Sequence, residues 1–564
     1  MTEIKTNPIV HLVPSLTDVA FLLPLIFLFG GLNGMRTLLG DGDTGWHLRI
    51  GEWILAHRQV PWQDMFSFTK PGEPFFAWEW LWDASFAWMF QRGGMAAVLV
   101  ASLLVICSAS ALLYRLVYRR CGNPLVAIAL TGLAAGGASV HWLARPHLFT
   151  LLFMMVFLTI LERVREGRTS STNTAGLWAL PALTVVWTNF HGGFLVGIFI
   201  LGAYAGGELL RAAVTRDGDE RGSALRAAAK YLATLAGCAL GSLVNPYGYH
   251  LHAHILRYLG DPYQMKYIGE FQGTNFQSTA ALYLEIMLVL GLAAAVWHGR
   301  RKQFGEVLMI VGFGHMALVM VRNLPIYMMA AAPLVAAPLV AWLTALTTAP
   351  LAGWVRAVVG TFQEIGEELN PLERAWRIHW VPAAALAVLA LGIGSPALGV
   401  KMSPEYDPGK YPEKALALLN RPEQRIFTHD EWGDYLIYKL SPQGTKVFVD
   451  GRSDFYGGKF GEAYVDIMNV KYNWQQTLDR YKVDTILLPP DAALAGALKE
   501  SRRWRVAYDD GMAIVFRPAA VAEGRMEQVF TGNPGGIGGG REITSVKPVV
   551  RGDHLNQIGG VSNQ

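Results

Sequence analysis

The sequence is poor in charged residues and in cysteine. Only 16% of its 564 residues are Asp, Glu, Lys or Arg, whereas soluble domains average about 25%. The three cysteines are Cys107, Cys121 and Cys238, so the region after residue 400 cannot form a disulfide. That region must be held together by a hydrophobic core alone. The low charge excludes an ordinary soluble protein and favours a membrane protein.

Long apolar runs recur through the first 400 positions. A membrane-spanning helix needs about 17–25 apolar residues, and the sequence therefore predicts a polytopic α-helical membrane protein with about 11 spans. The first run is too long for a signal peptide and lacks a small-residue cleavage site. The predicted spans are 16–38, 95–114, 123–141, 148–162, 176–188, 193–208, 229–244, 279–297, 305–321, 325–345 and 379–400.

Basic residues are concentrated after the even-numbered spans. Because positively charged loops stay in the cytoplasm, this pattern places the N-terminus inside and residues 401–564 outside. The net charge of +4 is explained by these inner loops, so nothing indicates nucleic-acid binding. Representative inner residues are Arg119, Arg120, Arg163, Arg165, Arg300 and Arg301.

Two polar regions are predicted on the outer side. The first outer loop, residues 39–94, is rich in aromatic residues and is predicted to contain amphipathic helices near 46–55 and 78–83. After the transmembrane core at 1–400, alternating strand-like and helix-like segments predict an α/β domain over 401–518, in the periplasm if the protein is bacterial. Residues 519–564 are rich in glycine, which predicts a disordered tail.

Polar groups follow the odd-numbered spans, so they are predicted to face one compartment. Asp41 and Asp43 come just after the first span. Such a pair can bind a divalent cation such as Mg²⁺ or Mn²⁺, or one member can act as a general base. A turn of glycine and aspartate is also ordinary loop chemistry.

Arg145 and Arg322 end the third and ninth spans on the same side. A guanidinium near the apolar region can bind a lipid phosphate, or it can extend to the headgroups without a specific role. Two strings after predicted strands, 429–435 and 449–456, are candidate binding loops or simple turns. The further candidates for substrate contacts are Glu79, His147, Asn189, His191 and Asn323.

The chain resembles the GT-C superfamily of polytopic glycosyltransferases, which use lipid-phosphate sugars. The resemblance lies in the acidic pair Asp41 and Asp43 in the first outer loop, the amphipathic helices of that loop, the many spans and the outer C-terminal domain. The string from Asp41 to Glu52 is similar to a group of bacterial membrane proteins of unassigned specificity. The resemblance implies that Asp41 or Asp43 activates the acceptor or binds a metal, and that Arg145 and Arg322 hold the donor phosphate.

The resulting hypothesis is an inverting glycosyltransferase of the bacterial inner membrane. It would transfer a sugar from a polyprenyl-phosphate donor to a glycan, lipid or protein acceptor on the outer face. A lipid or glycan transporter is an alternative, but it would place charged groups at the centre of the bilayer, where only Glu285 stands out. A non-catalytic subunit for envelope assembly is the third alternative.

Overall fold

The computed structural model describes residues 11–166, 173–375, 377–421 and 423–519. Most of these residues are helical, and a small sheet lies near the C-terminus. The predicted fold class, a polytopic α-helical membrane protein with a C-terminal α/β region, is confirmed. The predicted tail, apart from Ala519, lies outside the described residues.

Five helical segments of the described residues are long and apolar enough to cross a membrane: Trp80–Cys121, Pro124–His141, Gly192–Val214, Thr279–Arg300 and Val321–Thr348. Shorter apolar helices occupy Leu16–Gly31, Phe304–Val319 and Trp380–Gly392. The count of about 11 spans stays a prediction.

The α-helices before residue 400 are α1 (Leu16–Ile26), α2 (Met35–Leu38), α3 (Asp43–His57), α4 (Trp80–Cys121), α5 (Pro124–Ala138), α6 (Leu148–Glu166), α7 (Ala179–Phe190), α8 (Leu195–Val214), α9 (Gly218–Gly241), α10 (Tyr249–Leu259), α11 (Pro262–Tyr267), α12 (Thr279–Arg300), α13 (Phe304–Val319), α14 (Leu324–Thr348), α15 (Gly353–Arg374) and α16 (Trp380–Gly392).

Local sequence signals explain several helix boundaries. Ser15 and Asp18 form a reciprocal capping box that begins α1. The Asn123 side chain accepts from the first free backbone N–H groups of α5. Inside α4, Gly93 and Gly94 leave the helical conformation, with φ +61° at Gly94. This break separates the N-terminal, aromatic part of α4 from its apolar part.

Helix α3 corresponds to the amphipathic helix predicted near 46–55, but it is buried rather than laid on a surface. Trp46, His47 and Ile50 are buried, the most exposed being Trp46 at 7%. Gly51 packs directly against the carbonyl of Asp83 in α4, where a side chain would not fit. Gly45 likewise allows close contact with Tyr438 of α18 (Asp430–Leu440). These two glycines let α3 lie between α4 and α18.

The chain divides into two compact units at Val465 and Asp466. In the first unit, β1 (Arg425–Thr428) pairs in parallel with β2 (Lys446–Val447). The first outer loop joins β2, because the Val447 amide donates to the Phe66 carbonyl at 3.0 Å and the Phe68 amide to the Val447 carbonyl at 3.1 Å. A short α17 (Leu416–Leu419) precedes β1, and α19 (Ser453–Met468) follows β2.

The second unit contains an antiparallel arrangement of three strands. The outer two, β3 (Thr485–Leu488) and β4 (Trp504–Asp509), both pair with β5 (Ile514–Pro518). Strands β4 and β5 are consecutive and form a hairpin, with Gly511 at φ +81° in its turn. The helices of this unit are α20 (Trp474–Arg480) and α21 (Ala493–Glu500). A separate domain over 401–518 stays a prediction.

Candidate active site

Arg145 lies at the centre of a cluster of three carboxylates. Its Nη1 is 2.6 Å from Oδ2 of Asp41 and 2.9 Å from Oε1 of Glu270. Its Nη2 is 2.5 Å from Oδ2 of Asp43. The four side chains are between 13% and 29% exposed. The structure therefore brings the predicted acidic pair and Arg145 together, and it adds Glu270.

Two hydrogen bonds hold the segment around Asp41 and Asp43 beside the segment around Arg145. The Ala144 amide donates to the Leu38 carbonyl at 2.7 Å. The Thr44 hydroxyl donates to the Ala144 carbonyl at 3.0 Å. These bonds tie the start of α3 to the segment between α5 and α6, so Asp41 and Asp43 face Arg145 directly.

Asp43 has a second set of partners from the C-terminal part of the same unit. Its Oδ1 accepts from Nε1 of Trp46 at 3.3 Å, and Asp434 of α18 lies close enough to affect the pKa of Asp43. Asp434 accepts from the Gly451 amide at 2.7 Å. Both oxygens of Asp43 are therefore used within the protein. In contrast, Oδ1 of Asp41 is buried and has no hydrogen-bond partner among the described residues.

Burial and charge act in opposite directions on these acids. Burial raises the pKa of Asp41 to about 6, and the positive charge of Arg145 limits the rise. Burial also raises the pKa of Asp43. Burial alone would raise the pKa of Glu270, but Arg145 and His141 outweigh it and hold that pKa well below the usual range. Asp41 is thus mainly ionised at neutral pH, and its pKa of about 6 lies close to that pH.

Glu79 lies immediately before α4, between two histidines. Its Oε2 is 3.5 Å from Nε2 of His47, and its Oε1 is 3.4 Å from Nε2 of His191. The other nitrogen of His47 is 2.7 Å from Oδ1 of Asp83. Burial raises the pKa of Glu79 to about 8. Glu79 is therefore mainly protonated at neutral pH.

Arg322 is placed differently from Arg145. Its guanidinium lies 4.6 Å from the ring centre of Phe271 and 3.5 Å from the hydroxyl of Tyr258. Among the described residues it forms no ion pair. It is close enough to Glu79 and Glu270 for its charge to affect both. Arg322 is consequently a cation of this cluster that remains available to an anionic ligand.

The remaining predicted residues are used mainly to hold the protein together. Asn189 donates to the carbonyls of Val185 and Val244, both at 2.8 Å, and accepts from Trp80 at 2.7 Å. Asn323 donates to the Met316 carbonyl at 3.3 Å just before α14. Nε2 of His147 lies 2.7 Å from the His141 carbonyl, and burial lowers the pKa of His147 well below its usual value. We leave these three residues out of the proposed ligand contacts.

A second buried network joins the first outer loop to the segment after β2. Arg452 is 1% exposed and binds Asp450 and Asp64 at 2.7 and 2.8 Å. Its guanidinium also lies within about 5 Å of the rings of Phe66 and Phe75. The sequence indicated a candidate binding loop in this string, whereas the structure shows a link that fixes the loop carrying Gly451 beside Asp434.

The predicted metal pair does not form a metal site as it stands. Asp41 and Asp43 both bind the guanidinium of Arg145, which supplies the positive charge that a divalent cation would supply. The described residues contain no group of three or more metal-ligating side chains. A cation would have to displace Arg145, so we derive no step through a metal.

Comparisons with known proteins bear on the fold. No protein-family model matches the sequence, and no curated protein matches it. The apo oligosaccharyltransferase of Archaeoglobus fulgidus is similar in structure, with a TM-score of 0.52 and 11% identity over 84% of this chain and 69% of that chain. ArnT from Cupriavidus metallidurans, also without ligand, has a TM-score of 0.44 and 17% identity over 89% of this chain and 97% of that chain. The likeness to the oligosaccharyltransferase confirms the predicted GT-C fold.

Proposed function

We propose that this protein is an inverting glycosyltransferase that transfers a sugar from a polyprenyl-phosphate donor to an acceptor hydroxyl. The observation that carries the proposal is the convergence of Asp41, Asp43 and Arg145 with Glu79 and Arg322. A fold shared with an oligosaccharyltransferase supports the same class of reaction. We place the reaction at the outer face of a bacterial inner membrane, as the charge pattern predicts.

Asp41 is the residue that we assign as general base. Its Oδ1 is buried without a hydrogen-bond partner among the described residues. Since buried polar atoms are normally hydrogen-bonded, a ligand can donate a hydrogen bond to this oxygen. The acceptor hydroxyl supplies such a donor. Asp43 has Oδ1 occupied by Trp46 and Oδ2 by Arg145, so we assign it to positioning. A general base contributes about 10²–10⁴-fold to the rate.

Arg322 is the residue that we assign to the donor phosphate. It has no carboxylate partner among the described residues, whereas Arg145 is shared by three carboxylates. A guanidinium binds phosphate with two parallel hydrogen bonds. Its charge would stabilise the negative charge that develops on the leaving phosphate. Arg145 instead keeps Asp41 ionised.

The proposed reaction proceeds in one displacement. The acceptor O–H loses its proton to Oδ1 of Asp41 as the acceptor oxygen bonds to the anomeric carbon. The bond between that carbon and the phosphate oxygen breaks, and the polyprenyl phosphate leaves with the electron pair. Attack from the opposite face inverts the anomeric configuration. Residues 401–465, which belong to the first unit, would cover the site and select the acceptor.

A divalent cation is the second way in which the aspartate pair could act. Our proposal takes Arg145 as the permanent counter-charge, so chelation by EDTA is expected to leave the transfer rate unchanged. A loss of activity that Mg²⁺ or Mn²⁺ restores would show that a metal displaces Arg145.

The transporter alternative finds little support in the spans. Glu285 lies on the exposed face of α12 rather than along an interior path. The polar residues that converge lie at one end of the helices. An assembly subunit without catalysis would need no free acceptor oxygen at Asp41.

The test is turnover of a panel of polyprenyl-phosphate sugars by purified protein in liposomes, with envelope extract as acceptor. Release of polyprenyl phosphate with an inverted glycosidic product is expected. Movement of the labelled lipid between leaflets without bond cleavage would favour a transporter. The matched control is Asp219→Asn, since Asp219 is an exposed residue of α9.

A further inference from the structure

A chain of polar contacts that the proposed reaction does not use runs through Glu79. It begins at Asp83, passes through His47 to Glu79, continues to His191 and ends at Thr150. The side chains of Asp83 and His47 are at most 2% exposed, and that of Glu79 is 10% exposed. Arg145 and Arg322 are both close enough to Glu79 for their charges to affect its pKa.

The protonation of His191 follows from a backbone donor. The Gly193 amide donates to Nδ1 of His191 at 3.0 Å. The Thr150 hydroxyl, which accepts from Nε1 of Trp187 at 3.2 Å, lies 2.7 Å from the same Nδ1. Burial lowers the pKa of His191 to about 3, so the ring is neutral. Since Nδ1 accepts, Nε2 carries the proton and donates toward Oε1 of Glu79.

His47 is held in place by Asp83. Nδ1 of His47 is 2.7 Å from Oδ1 of Asp83. Burial lowers the pKa of His47 well below its usual value, so this ring is neutral as well. Nε2 of His47 faces Oε2 of Glu79 at 3.5 Å.

Glu79 thus lies between two neutral rings and forms no ion pair with a Lys or Arg among the described residues. A buried negative charge there would be unpaired, so the neutral acid is favoured. The contacts of Glu79 with His47 and His191 are both longer than the 2.5–3.0 Å usual for an O–H hydrogen bond. The carboxyl group is therefore free to rotate and to form a hydrogen bond with a ligand. The charged groups that face it besides the two histidines are Arg145, Arg322, Asp43 and Asp454, with Asp83 on its own helix.

We propose that Glu79 binds the phosphate of the lipid-linked donor as a neutral acid, donating its O–H to a phosphate oxygen opposite Arg322. His47 and His191 are positioning residues, because their Nε2 atoms lie on either side of this carboxyl group. An ionised Glu79 would repel the same phosphate. This inference rests on the proposed function and specifies how the donor is recognised.

The consequence is a coupling between donor binding and the proton of Glu79. Burial raises the pKa of Glu79 to about 8. Below that pH the group is already protonated and binding takes up no proton. Above it, binding requires proton uptake, so donor affinity falls toward tenfold per pH unit.

The experiment measures binding of farnesyl methyl phosphate by titration calorimetry in detergent. This diester has one permanent negative charge, does not titrate in the range used and carries no sugar to transfer. Runs in two buffers of different ionisation enthalpy give the number of protons taken up. Wild type is expected to take up more than half a proton at about pH 8.5 and almost none at about pH 6.5.

Glu79→Gln is expected to bind the diester within a few-fold of wild type at pH 7 and to take up no proton. The matched control is Glu73→Gln, because Glu73 is exposed and pairs only with Lys70 among the described residues; it should behave as wild type. Uptake by Glu79→Gln equal to wild type would overturn the proposal, and so would loss of its binding at pH 7. If Glu79→Gln fails to fold, the test is the pH at which proton uptake by wild type is half-maximal. A midpoint far from pH 8 also overturns the proposal.

Failure of this inference is distinguishable from failure of the proposed function. Sugar transfer without linked proton uptake overturns the role of Glu79 alone. Proton-linked binding of the diester without transfer from any donor overturns the glycosyltransferase and leaves a phosphate site. Neither binding nor transfer overturns both.

Discussion

Replacing Arg145 with glutamine tests how the acidic pair is kept reactive. Arg145 contacts Asp41 at 2.6 Å and Asp43 at 2.5 Å, and glutamine removes the charge. An opposite charge within about 4–6 Å lowers the pKa of a carboxyl group by roughly 1–3 units. Since the pKa of Asp41 is about 6 with Arg145 present, we expect it to lie at roughly 7–9 in the variant.

The change in ionisation sets the size of the effect. At pH 7, wild-type Asp41 is about nine-tenths ionised, whereas in the variant the ionised fraction falls to between about one half and one hundredth. The acid limb of the pH–rate profile should therefore move upward by about 1–3 pH units. Loss of a buried ion-pair partner also destabilises a protein by about 3–5 kcal/mol. Because this cluster is partly exposed, we expect the destabilisation by Arg145→Gln to be at or below the lower end of that range.

The assay is the sugar-transfer rate in liposomes between about pH 5 and 9, normalised to protein that elutes as a folded monodisperse species. Arg145→Lys is the matched control because it keeps the charge, and its acid limb should move less. An acid limb at the same pH in wild type and Arg145→Gln would refute the reasoning, since Arg145 would then have no control over the base.

Three further predictions concern the neighbouring residues. Arg322→Gln should raise the donor KM by about 10–100-fold, as expected for a lost charged hydrogen bond, with Arg322→Lys less affected; an unchanged KM would remove Arg322 from the phosphate site. The pKa of Glu79 is about 8 in the folded protein, whereas the ordinary value for glutamate is 4.5. Its stabilising effect is therefore complete below about pH 4.5 and is lost as pH rises toward 8, at about 1.4 kcal/mol per pH unit; thermal unfolding of Glu79→Gln should lack this slope. Arg452→Ala leaves Asp450 and Asp64 buried and unpaired, so we expect about 3–5 kcal/mol of destabilisation; unfolding at the wild-type temperature would contradict this.

The class of protein and the members of the site could be predicted from the sequence because both depend on long-range regularities. Low charge and repeated apolar runs identify a polytopic protein, and charge asymmetry predicts its orientation in the membrane. Groups at odd-numbered span ends must then face one compartment. For this reason topology alone predicts that Asp41, Asp43, Arg145 and Arg322 lie on the same side of the membrane, where they can converge.

The pairing within the site could not be predicted in the same way. Glu270 lies in a loop without a motif, and Asp434 reaches Asp43 only because α18 packs on α3. The sequence therefore suggested phosphate as the partner of Arg145, whereas three carboxylates hold it in the structure. Gly45 and Gly51 were the available signals of close packing, since isolated glycines in a helix mark contact with another backbone.

The measurement that tests the central claim most directly is the transfer rate of Asp41→Asn with the donor that wild type accepts. Asparagine keeps the size and the contact with Arg145 but cannot take a proton at neutral pH. The account predicts a loss of about 10²–10⁴-fold with donor binding retained, and a smaller loss in Asp43→Asn. Transfer by Asp41→Asn at the wild-type rate would show that the base lies elsewhere.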